Sequence, residues 1–441
     1  MDILQICGFF YLIYSAYTIF VILVSDYPIV NAVVGLLSIW LVYLAMLFGY
    51  RTKKRYYSKD IGLSGLVIGS YFPFANITNW KRKSYILVAS FSWICSVLSA
   101  KYYTSRGLIS VIRGLLSGTD AYSIYQQHAK DANIGALTFE KIPFVLMLTF
   151  CTFITIWSIA GVLLGTEKLR RTRLAYLLVV VASYLYFGIA RGTNYEMYIV
   201  FVTTSFCVLK RGKIIRGNER EKKAKSKSAV LVFGLGIVVI LLFRVVVGKR
   251  GYVFQNQICA EIAFSPDSFI SRNFPLLTNI GLSFFRYLGW GTFTIGVMNW
   301  DSINSVRRVA AMLLPGGHMM LYNTSLSDMT RDTVSVGVGW VPDYMFFIDY
   351  LGLPLFLFAV FLVGRLIVGV EKSRKPDLLS HILGIFIFIE MLSIPVGNFI
   401  ITSTPILLTL VYTIVWGLWC SYYKCNTVDK EIIIGGRNER F

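Results

Sequence analysis

The chain has 441 residues, of which 56% are hydrophobic, 15% aromatic and only 15% charged, and its mean hydropathy is +0.64. Soluble globular chains carry about 25% charged residues, so this composition excludes a water-soluble enzyme and points to a surface that faces lipid. The formal net charge of +20 is no argument for nucleic acid, because the Lys and Arg lie mainly in short segments beside apolar runs, where membrane topology places them.

Runs of about 17–25 apolar residues are long enough to cross the hydrocarbon core of a bilayer. Ten are predicted, over 3–24, 28–50, 84–103, 142–165, 174–190, 194–209, 229–247, 344–370, 378–398 and 401–422. The first has no basic leader and no small-residue cleavage site, so it reads as an anchor and not as a removable signal peptide. Segment 61–80 is apolar but short and broken by Pro73, which leaves a re-entrant hairpin or an eleventh crossing open. Basic clusters at 51–59, 81–83, 168–173, 210–227, 372–375 and 424–440 hold most of the 43 Lys and Arg. Assigning them to the cytoplasm puts both termini inside.

Two long outer loops follow, 104–141 and 248–343. The second carries an apolar stretch over 274–297, interrupted by Gly281, Gly289, Gly291 and Gly296, which is expected to form short interfacial helices or to dip into the membrane. Loops of this length between membrane helices direct the search for function to the outer face. The whole chain, 1–441, reads as a single all-α polytopic integral membrane domain of about 10–12 transmembrane helices. No internal repeat is detectable, so an inverted-repeat transporter has no support.

The seven Cys include no CxxC pair and no neighbouring His at ligand spacing, and most are expected to be small buried apolar residues. The outer face is unusually cationic, with Arg191, Arg244, Lys249, Arg250, Arg272, Arg286, Arg307, Arg308 and Arg331. An arginine fork suits two-point contact with phosphate oxygens, and an enzyme that expels a diphosphate needs fixed cations where the leaving charge accumulates. Arg191 stands in IARGTNYE at a helix end. Lys249 and Arg250 lie in VVVGKRGYVF between Gly248 and Gly251, which leave the backbone open to a ligand. Arg286, in LSFFRYLGW, needs an anion or a polar partner inside its apolar stretch. Arg272 and Arg331 are secondary candidates, and each of these cations also fits simple anchoring at the headgroups. His318, in LLPGGHMM, and the carboxylates Glu261, Asp267, Asp301, Asp328, Asp332 and Asp343 are the candidate bases. No carboxylate pair has metal-ligand spacing, so neither metal nor cofactor is expected. Glu390, in FIFIEMLSIP, is expected to pair structurally, with Arg244 as the candidate partner.

Three pieces carry a family resemblance: IARGTNYEMYIVF, then GKRGY after the next helix, then the block from LLPGGHMM through VSVGVGWVPDYMFFIDYLGLPLFLFAVFLVG. Together with the helix layout they resemble the O-antigen polymerases, the oligosaccharide repeat-unit polymerases of bacterial surface polysaccharide synthesis. The resemblance implies a metal-independent membrane glycosyltransferase with a GT-C-like architecture, acting at the periplasmic face of the inner membrane. Its substrate, as donor and as acceptor, would be an undecaprenyl diphosphate-linked oligosaccharide, with a chain-length regulator as a further partner. By position, Arg191 matches the family's arginine after the small-residue turn and Arg250 the one after the following helix, both holding diphosphate. Asp343 stands, offset, where family members often place Glu. His318 and Asp343 are then the catalytic candidates, and Arg191, Lys249, Arg250 and Arg286 the diphosphate-binding ones. A ligase that passes the glycan to lipid A core, or a flippase for the same lipid-linked sugar, remain alternative readings.

Overall fold

Side chains that a soluble protein would bury stand outward in this chain. On α1 (Ile3–Val24) Phe9, Leu12, Ile13, Ile19 and Leu23 are exposed, whereas Cys7, Tyr11, Tyr14, Thr18 and Val21 are buried on the other face. Hydrocarbon accommodates such a face and water does not, while small and hydroxyl-bearing residues let helices approach one another inside. Among the described residues, five helices are long and apolar enough to cross a membrane: Ile3–Val24, Ala32–Lys53, Arg82–Thr104, Phe139–Leu164 and Arg171–Arg191. The chain is a membrane-embedded helical protein.

The computed structural model describes residues 3–26, 29–56, 80–117, 120–131, 138–164, 171–214, 234, 257–259, 262–263, 265–275, 278, 281, 313–316, 343–372, 378–396, 400, 403–416 and 419. After α1 come α2 (Ile29–Tyr56), α3 (Arg82–Thr104), α4 (Leu108–Ser117), α5 (Ala121–Asp131), α6 (Ile142–Leu164), α7 (Arg171–Arg191) and α8 (Tyr195–Ile214). A short antiparallel pair, β1 (Gln257–Cys259) with β2 (Ile262–Ala263), precedes α9 (Phe269–Asn273). Then follow α10 (Asp343–Leu351), α11 (Leu353–Lys372), α12 (Leu378–Ser393) and α13 (Thr404–Trp416). The predicted run 229–247 and segment 61–80 lie outside the described residues except for Gly234 and Trp80, and so does most of 274–297.

The chain divides into two compact units. One comprises Met1–Asp60, Gly251–Lys372 and Ile387–Ser403. Its main helix contact is α2 against α11, and glycine sets the distance: a Cβ on Gly49 would strike the Phe361 carbonyl, and one on Gly364 the Met46 carbonyl. The single span predicted over 344–370 is corrected here to two helices, α10 and α11. Gly352 separates them in the left-handed region (φ 72°), with its own N–H closing α10 on the Ile348 carbonyl at 2.8 Å. Its side is tightly covered, since a Cβ would come within 2.7 Å of the Leu313 carbonyl oxygen. Pro354 follows in the first turn of α11, where a missing N–H costs nothing.

The run predicted to continue to residue 398 leaves helical geometry after Ser393. The reason is Pro395, which cannot donate to the Met391 carbonyl as an α-helical residue would. That carbonyl accepts instead from the Tyr11 hydroxyl, and the Pro395 carbonyl accepts from Tyr14 at 3.1 Å. The expected pairing of Glu390 with Arg244 lies outside the described residues, because Arg244 does.

The second unit comprises Ile61–Arg250, Ser373–Phe386 and Thr404–Phe441. α6 is its centre: every residue from Cys151 to Ala160 is buried, with α3, α7 and α8 packed around it. α3 turns a stripe of small residues inward, Ser92, Cys95, Ser96, Ser99 and Ala100, at the three- and four-residue spacing of one helix face. The Ser92 and Ser183 hydroxyls meet at 2.6 Å, Ser96 donates to the Ser183 carbonyl, and the Cys151 thiol lies 3.4 Å from the Ser92 carbonyl. Such hydroxyl contacts are a common glue of membrane helices. The described cysteines Cys7, Cys95, Cys151 and Cys207 are buried thiols outside any disulfide.

The stretch 104–141, read from the sequence as a long loop, carries α4, α5 and a short 3-10 turn, Phe139–Lys141. α4 turns Val111 inward and leaves Ile109 and Ile112 exposed. α5 packs against α3 and α7, and so covers the end of α7 where Arg191 lies.

Candidate functional site

The turn from α7 to α8, Arg191-Gly192-Thr193-Asn194, is closed by its own backbone. Gly192 N–H bonds the Ile189 carbonyl at 3.1 Å and Thr193 N–H the Gly188 carbonyl at 2.9 Å, the two bonds of a Schellman helix end. This ending needs a left-handed residue, and Gly192 supplies it at φ 67°. A second constraint acts at the same position: a Cβ on Gly192 would lie 2.7 Å from the Tyr122 amide nitrogen, so α5 enters directly over the turn. Asp120 starts that helix by accepting from the amides of Tyr122 at 3.0 Å and Ser123 at 3.3 Å.

This geometry places the Arg191 side chain under α5. Its guanidinium lies 4.3 Å from the Phe187 ring centroid and 5.7 Å from that of Tyr125, so aromatic faces flank the cation. Nη2 of Arg191 donates to Oε1 of Glu196, and the Thr193 hydroxyl donates to Oε2 at 2.9 Å. The two charged side chains are 19% and 3% exposed. Removing one partner of a pair this buried leaves an uncompensated charge, at a cost of about 3–5 kcal/mol.

Three buried polar atoms in this turn find no partner among the described residues: Nε of Arg191 and both amide atoms, Nδ2 and Oδ1, of Asn194. Asn194 begins α8, its carbonyl accepting from the Tyr198 amide at 3.0 Å, but its side chain does not cap the helix. Native proteins rarely leave buried polar groups unmatched, and where they do a bound group is one of the reasons. The turn therefore carries a cation with a spare N–H and an amide with a spare donor and acceptor.

The wall behind the site is aromatic. Ala100, Tyr103, Val111, Leu148, Tyr186, Phe187 and Ala190 form a buried cluster, with Tyr125 and Ala129 of α5 packed on it. Tyr102 stacks on Phe144 at 4.0 Å, and His128 of α5 lies 3.1 Å from the Tyr102 carbonyl. These contacts hold α5 in place over Arg191.

The other residues predicted from the sequence are not brought to this turn by anything described. His318, Lys249, Arg250, Arg286 and Arg331 lie outside the described residues. Asp343 opens α10, and Arg272 sits in α9, both in the first compact unit. Arg272 pairs with Asp267 at 3.0 Å, with the two side chains 66% and 82% exposed, and a surface pair of this kind contributes little. The sequence reading missed Glu196, Asn194 and Tyr125. For Glu196 a signal was present, because Thr-Asn-Tyr-Glu has the spacing of a helix-start capping box; the carboxylate turns to Arg191 instead. No family model matches the chain, and no curated protein and no solved structure matches it.

Proposed function

We propose that this protein polymerises undecaprenyl diphosphate-linked oligosaccharide repeat units into a bacterial surface polysaccharide such as O-antigen. The transfer is en bloc and needs no metal, and it takes place at the periplasmic face of the inner membrane. The observation that carries the reading is Arg191: a cation at the end of a membrane helix, flanked by aromatic rings, with one guanidinium N–H unmatched. A lipid diphosphate brings its charge to headgroup depth, and a fixed guanidinium there stabilises it as the sugar departs. Asn194, with an unmatched donor and acceptor, suits a sugar hydroxyl in the same turn. Lys249, Arg250 and Arg286 are further diphosphate ligands in this reading, with Arg272 and Arg331 as secondary ones and His318 and Asp343 as candidate bases.

The deciding experiment incubates the purified protein with undecaprenyl diphosphate-linked repeat units beside an Arg191→Ala variant, and resolves the products on a gel. A ladder from the wild type that the variant does not make is the expected result. A full ladder from a well-folded Arg191→Ala protein would sink the assignment. No ladder from authentic substrate, with transfer appearing when a lipid A core acceptor is supplied, would replace polymerase by ligase.

A further inference from the structure

Arg191 in this structure is not an open cation, because Glu196 already holds its Nη2. Both of the two-pronged edges that arginine offers to an anion include Nη2, paired with Nε on one edge and with Nη1 on the other. An anion that docks through two prongs must crowd the Glu196 carboxylate, and like charges at that distance repel. Nε is the unmatched atom, so the resting contact with Glu196 leaves the side edge of the guanidinium half used.

Apart from Arg191, the carboxylate has one hydrogen-bond partner among the described residues. The Thr193 hydroxyl reaches Oε2, and Gly188 gives it room, since any Cβ there would overlap the carboxylate. Asn194, two residues before it, carries the unmatched amide. A carboxylate moved off Nη2 has lone pairs newly available to accept from a hydroxyl.

We infer that Glu196 is both the resting counter-ion of Arg191 and the proton acceptor of the transfer step. This rests on the function proposed above and assigns the base that it left open. The donor's diphosphate takes Nη2 and Nε of Arg191 and displaces Glu196. The freed carboxylate then accepts the proton of an acceptor sugar hydroxyl. The acceptor oxygen forms a bond to the donor's anomeric carbon as the bond from that carbon to the diphosphate oxygen breaks. The electron pair of the broken bond stays on the diphosphate beside Arg191, and the proton stays on Glu196. Occupation of the arginine thereby arms the base, and without a donor the base remains held.

The test measures two quantities on the full-length protein in detergent: affinity for farnesyl diphosphate, with farnesyl monophosphate as control, and ladder formation from lipid-linked repeat units. Glu196→Gln removes the competing charge and the base together. It is expected to bind farnesyl diphosphate about tenfold more tightly than the wild type, because the competent state of Arg191 no longer has to be freed, and to make no ladder. Arg191→Ala is expected to lose the binding. Tightening reports the counter-ion role, and loss of the ladder at an unchanged melting temperature reports the base. A Glu196→Gln protein that binds no more tightly, or that still makes a ladder, overturns the inference while leaving the polymerase reading standing. A wild type that neither binds the diphosphate nor makes a ladder overturns both. If Glu196→Gln does not yield monodisperse protein, Glu196→Asp decides by the same readouts: its shorter reach weakens the hold on Nη2, so tighter binding with slowed laddering supports the inference, and unchanged binding overturns it.

Discussion

Gly188 on α7 lies directly against the Glu196 carboxylate of α8. A Cβ at residue 188 would sit 3.1 Å from both the Cβ and the Cδ of Glu196, and closer still to Oε2. Gly188→Ala would gain about 1 kcal/mol of helix propensity, but it would push the carboxylate off Arg191. Overpacking of this kind costs about 1–3 kcal/mol, and disturbing the buried pair adds to it. The variant is expected to melt at a lower temperature in detergent and to lose the proposed polymerase activity. Gly107→Ala is the control, since nothing lies within 4 Å of a Cβ there, and it should change stability by less than about 0.5 kcal/mol. Equal behaviour of the two would mean that the packing at Gly188 has no consequence.

Arg191→Lys keeps the charge but not the chemistry. An ammonium retains a bond to Glu196 but loses the delocalised cation over the Phe187 and Tyr125 rings and the second prong for an anion. A lost hydrogen bond to a charged group is worth about 1.5–3 kcal/mol, which corresponds to roughly a 10–150-fold loss in the rate of the polymerisation proposed above. Rate measurements on a protein of unchanged folded yield test this. A variant within about twofold of the wild type would show that only the point charge matters.

Long apolar runs made most of the described helices legible in advance: the run predicted over 3–24 is α1, and the runs at 142–165 and 174–190 match α6 and α7 within a few residues. Arg191 was also legible, as a cation closing an apolar run. What the composition of a run does not reveal is a break inside it. The apolar character continues through Gly352, so α10 and α11 read as one span, and only the backbone's left-handed residue separates them. α4 and α5 were hidden for the opposite reason. They are 10 and 11 residues long, too short and in part too polar to read as crossings, and their place follows from packing on α3 and α7. Glu196 stood at capping-box spacing from Thr193, but its pairing with Arg191 was hidden, because a helical span is recognised by what faces lipid and Glu196 faces its neighbours.

Tyr11→Phe addresses how α12 ends. With Pro395 in place of a donor, the Met391 carbonyl loses its helical partner, and the Tyr11 hydroxyl takes over that role from α1. Removing the hydroxyl leaves a buried carbonyl unmatched, at a cost of about 1–3 kcal/mol. Replacing Pro395 by Ala in the same background would restore an amide donor at the right position and is expected to recover part of that loss. The double variant and both single variants, compared by thermal melting, form the test. No recovery would mean that the carbonyl was not what Tyr11 served.

Gly49 and Gly364 set the spacing of α2 and α11 from opposite sides. The first faces the Phe361 carbonyl and the second the Met46 carbonyl, so each helix presents its backbone to a glycine on the other, three residues along. A methyl group at either position meets backbone and not the end of a flexible side chain, so the helices themselves must separate. Each single Gly→Ala change is expected to destabilise the unit by about 1–3 kcal/mol. The pair should cost less than the sum, because helices already parted by the first methyl leave room for the second. Unfolding free energies of the two single variants and the double variant give the coupling directly. Strict additivity would show that each contact relaxes locally and that α2 and α11 do not move as rigid bodies.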